Sequence, residues 1–460
     1  MPAMNIFNAW FFRKPHRRQG FFILPFLLSL LFFLTFSSLA PSASHAKPSR
    51  VDNLLDRGNI EEAIAVLEGD WKKDYQAFYG QKYEQPIQQT EAIAQKLLDI
   101  AQETGENPAV IWAFSRPEDL VILLITPGNE PMSFTIAEAD SEELDIMATT
   151  FRREVANPRR VNSVAYRKAS QQLYQWLIAP IEPILESQQI DTLLFCVGEN
   201  LRSLPFAALQ DGEQFLIEKY SLATIPAFSL TETTYTDIRN DRVLAMGASE
   251  FLEQIPLPGV EVELSAIVPE LWPGKAFLNQ NFTIANLQAE RRQDPVTIIH
   301  LATHAEFRSG SPDRSYIQFS DRQLSLDRLG ELGWRDPPVE LLVLSACQTA
   351  LGDRDAELGF AGLAVQAGVK TAIASLWSVS DLGTLALMSE FYQQLRTAPI
   401  KTEALRQAQL AMIRGDIRLE GATLVNSESA IALPPNLQSS GVNLAHPYYW
   451  ASFVAIGSPW

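Results

Sequence analysis

The sequence predicts an α/β fold in which a mainly parallel sheet is covered by helices on both faces, arranged as two such units behind a short helical segment. Three observations lead there. Short apolar runs alternate with helix-period stretches along most of the chain. Several of the runs are apolar at every position, as in VELLVLSA over 339–346, which suits a central strand buried on both faces. A polar, proline-containing loop around 226–241 separates two alternating blocks, roughly 109–230 and 241–460.

Composition narrows the class. The 460 residues are 47% hydrophobic and 20% charged, the balance of a globular chain rather than a disordered one. Thirty-seven basic against fifty-four acidic side chains give a net charge of −17. The first 46 residues hold Arg13, Lys14, Arg17 and Arg18 and no acidic residue, so the remainder carries −21. Such a body disfavours phosphate backbones and anionic lipid, and nucleic acid is not an expected partner. Two cysteines, Cys196 and Cys347, exclude a disulfide-rich scaffold and a multi-thiolate zinc site, and no cofactor is called for.

In chain order, the first element is an address. RKPHRR (13–18), the uncharged run 21–40 and PSASHA follow the layout of a secretory signal peptide, with Ser44 and Ala46 as the small residues before the cleavage point. Residues 1–46 are therefore expected to be a signal peptide or, if uncleaved, a membrane anchor through 21–40, and the body to be exported to a periplasmic or extracellular site. Residues 47–108 form the helical lead-in: Ile60, Ile64 and Leu67 share one helix face, RGNIEEAIAVLEGDW resembles half of a tetratricopeptide repeat, and a second helix spans 88–103. No second copy at the 34-residue period follows.

From residue 109 the pattern switches. Strands are expected at 110–114, 120–126, 192–197, 243–248, 296–302, 339–346 and 370–377, with helices at 141–155, 162–178, 260–271, 283–292, 358–367 and 381–396. The glycines of GFAGLAVQAG (359–368) lack phosphate-loop spacing and read as close packing of a helix on the sheet. The turn-rich stretch 415–441 reads as a surface insertion.

Chemistry in parallel sheets collects at the carboxyl ends of strands. Two such ends carry reactive residues: VTIIHLATHAEF (296–307), where the strand is expected to run out at Thr303-His304-Ala305, and VELLVLSACQTALGD (339–353), where Cys347 follows an apolar strand. If both strands belong to one sheet, His304 and Cys347 emerge at the same edge. An imidazole there can deprotonate the thiol, and neighbouring backbone amides can hold an oxyanion.

HLATHA followed by LLVLSACQT resembles the paired His and Cys motifs of CHAT-domain proteins, a family of caspase-like cysteine peptidases related to separase. LRSLPFAALQDGEQFLIEKYSLATIP (201–226), SLWSVSD (375–381) and HPYYWASFVAIG (446–457) resemble further motifs of that family, in order. The resemblance implies a caspase-like three-layer α/β/α sandwich, with an N-terminal pseudo-caspase half (109–230) and a catalytic half (241–460). It also implies an endopeptidase with His304 as base, Cys347 as nucleophile, a thioester acyl-enzyme and the amides of Ala305 and Cys347 at the oxyanion. The family often has Gly where this chain has Ala305, which puts a glycine-only backbone geometry there in doubt. In separase-like relatives the acidic residue of an LW-x-V-x-D motif recognises a basic P1 side chain, which assigns that role to Asp381, with Ser375 and Trp377 beside it.

Structural alternatives stand beside each assignment. Asp381 is equally a capping residue for the helix that follows, and Trp377 is equally good core. Cys196, inside TLLFCV, is expected to be buried. His300 and His304 are four apart but lie on a strand and its exit with no third ligand, so no metal site is expected. His446 is expected to pack. Asp353, Asp355 and Glu357 either line the cleft or are solvated. In function, the alternative to a peptidase acting on a protein or peptide substrate is a non-proteolytic interaction domain, and a third possibility is a zymogen triggered by a protein activator.

Overall fold

The computed structural model describes residues 49–438 and 442–460, and the side chains of Ala346 and Cys347 lie outside what it describes. The signal or anchor segment expected over 1–46 lies outside the described residues.

The lead-in is helical where its periodicity placed it. Asn59 caps the helix Ile60–Tyr79 by accepting from the Glu62 amide at 3.2 Å, and Gly80, with φ 65°, ends it. A second helix, Thr90–Thr104, closes on Gly105. Among the described residues, sixteen strands follow in chain order: β1 (Pro108–Ser115), β2 (Leu120–Ile125), β3 (Met132–Ile136), β4 (Thr192–Val197), β5 (Ser221–Ile225), β6 (Val243–Gly247), β7 (Gly274–Leu278), β8 (Ile298–Phe307), β9 (Tyr316–Gln318), β10 (Gln323–Ser325), β11 (Val339–Thr349), β12 (Val369–Ser375), β13 (Arg418–Glu420), β14 (Thr423–Val425), β15 (Ala430–Ala432) and β16 (Phe453–Gly457). The 415–441 stretch thus carries the small sheet β13-β14-β15, not turns alone.

The other strands make one 13-stranded sheet in the order β10-β9-β8-β11-β12-β16-β5-β4-β1-β2-β3, with β6 and β7 joined at β8. Seven of its twelve pairings are parallel, so the sheet is mainly parallel as expected. β16 joins the two halves, antiparallel to β12 and parallel to β5. The carboxyl ends of β8 and β11 therefore emerge at the edge where β16, β5, β4 and β1 begin.

Alternation along β1 shows how the layers form. Val110 and Trp112 join one core cluster with Ile64, Leu67, Trp71 and Leu97 of the lead-in, whereas Ala109, Ile111 and Ala113 join a second cluster with Leu144, Phe151 and Leu173 of the helices Ser141–Val155 and Arg167–Leu177. The lead-in is one of the two helical layers of the N-terminal half. Glu68, 1% exposed, fixes it there. Its Oε1 accepts from the Trp112 indole at 2.8 Å and the Phe228 amide at 2.9 Å, and its Oε2 accepts from the Ser229 amide at 2.9 Å.

The glycines of 359–368 pack closely: Gly359 against Phe307 at the end of β8 and Leu326, Gly362 against the lead-in. A Cβ at Gly362 would lie 2.7 Å from the Tyr79 ring, whose hydroxyl donates to the Gly359 carbonyl at 3.0 Å. Gly362 also divides the expected helix into Arg354–Ala361 and Leu363–Ala367.

Candidate active site

β8 and β11 lie side by side and parallel, with Leu301 opposite Leu344, His304 opposite Ala346 and Ala305 opposite Cys347. The register shifts between Leu344 and Ala346, so Ala302 and Thr303 face the single residue Ser345, a bulge just before the reactive positions. The expectation that β8 runs out at Thr303-His304-Ala305 is corrected. The strand runs on to Phe307 because β11 continues opposite it and β9 adds to its outer side at Ala305 and Glu306. Ala305 does not take a left-handed φ, so alanine fits where the family often has glycine.

His304 is half-buried, and its orientation is set by the loop between β6 and the helix Val260–Ser265. Its Nε2 lies 2.8 Å from the Ile255 carbonyl, and its ring meets Phe251 edge-on with centroids 4.7 Å apart. A carbonyl only accepts, so Nε2 carries the proton and Nδ1 keeps the lone pair of a base. The Pro256 ring disfavours helical backbone at Ile255, which narrows the ways that carbonyl can turn.

The segment Ile255–Glu263 makes two further contacts at four-residue intervals. The Gly259 amide donates to Asp381 Oδ2 at 3.0 Å, an approach that leaves no room for a side chain: a Cβ at Gly259 would lie 2.8 Å from the Asp381 Cβ. Glu263 Oε1 lies 3.1 Å from Nε2 of His300, while the other ring nitrogen of His300 is 3.2 Å from the Tyr392 hydroxyl. His300, Glu263 and Tyr392 are all buried. One segment thus touches both histidines of β8 and the acid at the start of the helix Asp381–Gln394.

Asp381 is not the cap of that helix. Ser380 is, its hydroxyl accepting from the Gly383 amide at 3.3 Å, and Asp381 is the first helical residue. Burial is the main influence on the Asp381 carboxyl and raises its pKa, the nearby Glu263 adds to that, and the Gly259 hydrogen bond and His304 partly oppose it. Ser375 and Trp377 are buried at 1% and 5% exposure. Ser375 pairs with Phe453 inside the sheet, and the Trp377 indole donates to the Tyr448 carbonyl at 3.1 Å, which makes Trp377 core.

The acidic residues after Cys347 are structural. Asp353 caps the helix Arg354–Ala361 through the Ala356 amide at 3.0 Å, and Asp355 accepts from the Gly310 amide at 3.0 Å. Glu357, 1% exposed, takes the Gly352 amide at 3.1 Å and the Ser203 hydroxyl, with Arg152 Nη1 3.5 Å away. The N-terminal half thereby grips the loop that follows β11.

Cys196 is a buried free thiol, its pKa pushed up mainly by desolvation. His446 caps the turn Pro447–Trp450: its Nδ1 accepts from the Tyr448 amide at 3.1 Å and its Nε2 lies 3.0 Å from the Ser163 carbonyl. Burial lowers its pKa. Among the described residues, no three His, Cys, Asp or Glu side chains gather as metal ligands would.

Sequence reasoning missed Ile255, Phe251, Gly259 and Glu263. Two of these act through the backbone, which residue type does not advertise. The usable signal was Pro256 and the Leu257-Pro258-Gly259 turn just ahead of a helix.

The family model of the CHAT domain matches residues 167–458. No curated protein matches the chain. Two solved structures of the Saccharomyces cerevisiae separase–securin complex, at 3.0 and 2.6 Å resolution, align at 10% identity and a TM-score of 0.46, covering 80% of this chain. The chain spans only 30% and 31% of the chains it matches there. The family match takes in β4, β5, both of these strand ends and β16, and on that ground this chain belongs to the CHAT family.

Proposed function

We propose that the chain is an exported cysteine endopeptidase whose dyad is His304 and Cys347. The observation that carries this reading is the Ile255 carbonyl at 2.8 Å from His304 Nε2, on a strand whose next residue faces Cys347 across the ladder. In the proposed cycle, His304 Nδ1 takes the Cys347 thiol proton as the sulfur attacks the scissile carbonyl carbon. The Ala305 and Cys347 amides donate to the oxyanion. Collapse breaks the C–N bond, and the imidazolium returns its proton to the leaving amine. Water, deprotonated by the same nitrogen, then attacks the thioester, releasing the acid product and regenerating the thiol.

A basic P1 side chain is the preferred substrate feature in this reading, with Asp381 as its partner. The exposed side chains of Leu252 and Ile255, at 105% and 79%, offer apolar contact to a peptide beside His304. Replacing Cys347 by Ala abolishes cleavage and labelling by a P1-Arg or P1-Lys electrophile. Undiminished cleavage in that variant rules the mechanism out. Sequencing the mature N-terminus tests export: a start near Lys47 supports signal cleavage, and a start at Met1 opposes it.

A further inference from the structure

We propose that the surface formed by Arg153, Arg159, Arg160, Arg167 and Lys168 docks an acidic peptide segment of a partner protein, next to the loop that leaves the nucleophile strand. This goes beyond the peptidase reading and does not depend on it.

The sequence RREVANPRRVNSVAYRK, 152–168, concentrates six basic residues around one acid in a body that otherwise carries a large negative excess. Five of the six are exposed. The one acid, Glu154, is buried at 8% exposure and already engaged by Arg160 and, at 3.6 Å, by Arg153. The short turn Pro158–Arg160 and the start of the helix Arg167–Leu177 keep these residues in one contiguous stretch.

A groove of about 360 Å³ opens beside them, lined by Thr149, Arg152, Arg153, Asn157, Pro158 and Leu351. Leu351 lies four residues after Cys347. Arg152, 3% exposed, forms part of the groove and contacts the Asn200 carbonyl at 2.6 Å and Glu357 at 3.5 Å. An occupant of this groove therefore touches the nucleophile loop on one side and the seam between the two halves on the other.

Charge complementarity selects the occupant. A local basic patch on a strongly acidic body attracts a short acidic segment but repels a long polyanion, whose flanks meet the surrounding negative charge. The patch offers no exposed aromatic ring for base stacking, since Tyr166 is buried, and offers instead the side chain of Val164, 58% exposed. An acidic segment with an interspersed apolar residue matches both features.

The probe is a fluorescein-labelled peptide of alternating Glu and Leu residues, titrated by anisotropy against full-length Cys347→Ala protein at two salt concentrations. With that background, loss of peptidase function has no bearing on the result. Binding weakens with salt, and the triple variant Arg153→Glu/Arg159→Glu/Lys168→Glu binds at least 10-fold more weakly. A control with three reversals elsewhere, Arg57→Glu/Arg396→Glu/Arg414→Glu, stays within 3-fold of the parent. No binding by the parent, equal loss in both triple variants, or tighter binding of a single-stranded oligonucleotide than of the peptide overturns the proposal.

Discussion

The carbonyl oxygen of Ile255 lies 2.8 Å from Nε2 of His304. It does for this imidazole what a carboxylate does in a serine-type triad, fixing tautomer and ring orientation, but without adding charge. Because the group is part of the main chain, the loop itself is the orienting element.

Loosening that loop should therefore slow catalysis without much affecting binding. Pro256→Gly lifts the proline's restriction on the Ile255 backbone and is expected to lower kcat by about 10- to 100-fold with KM nearly unchanged. Ile255→Ala keeps the carbonyl and removes only an exposed side chain, and should retain kcat. Steady-state kinetics on one fluorogenic peptide distinguishes the two, and a similar kcat loss in both variants would defeat the assignment.

Asp381 holds the Gly259 amide, and the proposed function gives it a second, separable task of facing substrate. Asp381→Asn keeps an acceptor for Gly259 but removes the charge, so it should cut kcat/KM for P1-Arg substrates by about 10-fold or more while sparing neutral P1 residues. Because burial raises the Asp381 pKa, the basic preference should fade on acidification at a higher pH than an ordinary aspartate would give. An equal fall for all P1 residues would make Asp381 a loop anchor only.

Lys401 predicts the pH dependence of stability. Its side chain is 2% exposed and its Nζ has no hydrogen-bond partner, while the nearby Lys370–Glu340 pair at 2.8 Å is already closed. Burial lowers its pKa from 10.5 to about 7. Between that value and the unfolded one, the unfolded chain binds a proton the folded chain does not, so this group makes stability rise with pH across that window. Lys401→Met removes a penalty on the order of a few kcal/mol below pH 7, and the gain shrinks toward pH ~10. Urea titrations at pH 6, 8 and 10 read this out; a pH-independent difference would refute it.

Glu68→Ala should detach the lead-in. It leaves three buried donors unpartnered, each worth about 1–3 kcal/mol, for a loss of at least ~3 kcal/mol. Limited proteolysis should then cut early within the extended link 81–89, and unchanged resistance there would contradict the role given to Glu68.

Much of this was legible beforehand because central strands advertise themselves. β1, β2 and β4 are almost wholly apolar runs, and burial on both faces is why. β3 and β7 were missed because they lie at the margins of the sheet with mixed exposure, and short polar strands look like loop. The extension of β8 through His304 was hidden because it depends on the β9 hairpin, a partner set by tertiary structure rather than by local pattern. Within the site, His304 and Cys347 stood out through their motifs. For Asp381 the capping alternative falls because Ser380, one position earlier, is as good a capping residue and takes that place.

The position of β16 also imposes an order of events. Ala455 and Ile456 pair with Ala223 and Thr224, strand residues roughly 230 positions earlier in the chain. Neither half of the sheet can be joined to the other until residues beyond 450 have been made and delivered. During synthesis β8 and β11, with His304 and Cys347, therefore belong to an unsealed half. Assembly of that edge becomes a late event, waiting on a pairing between segments far apart in the chain.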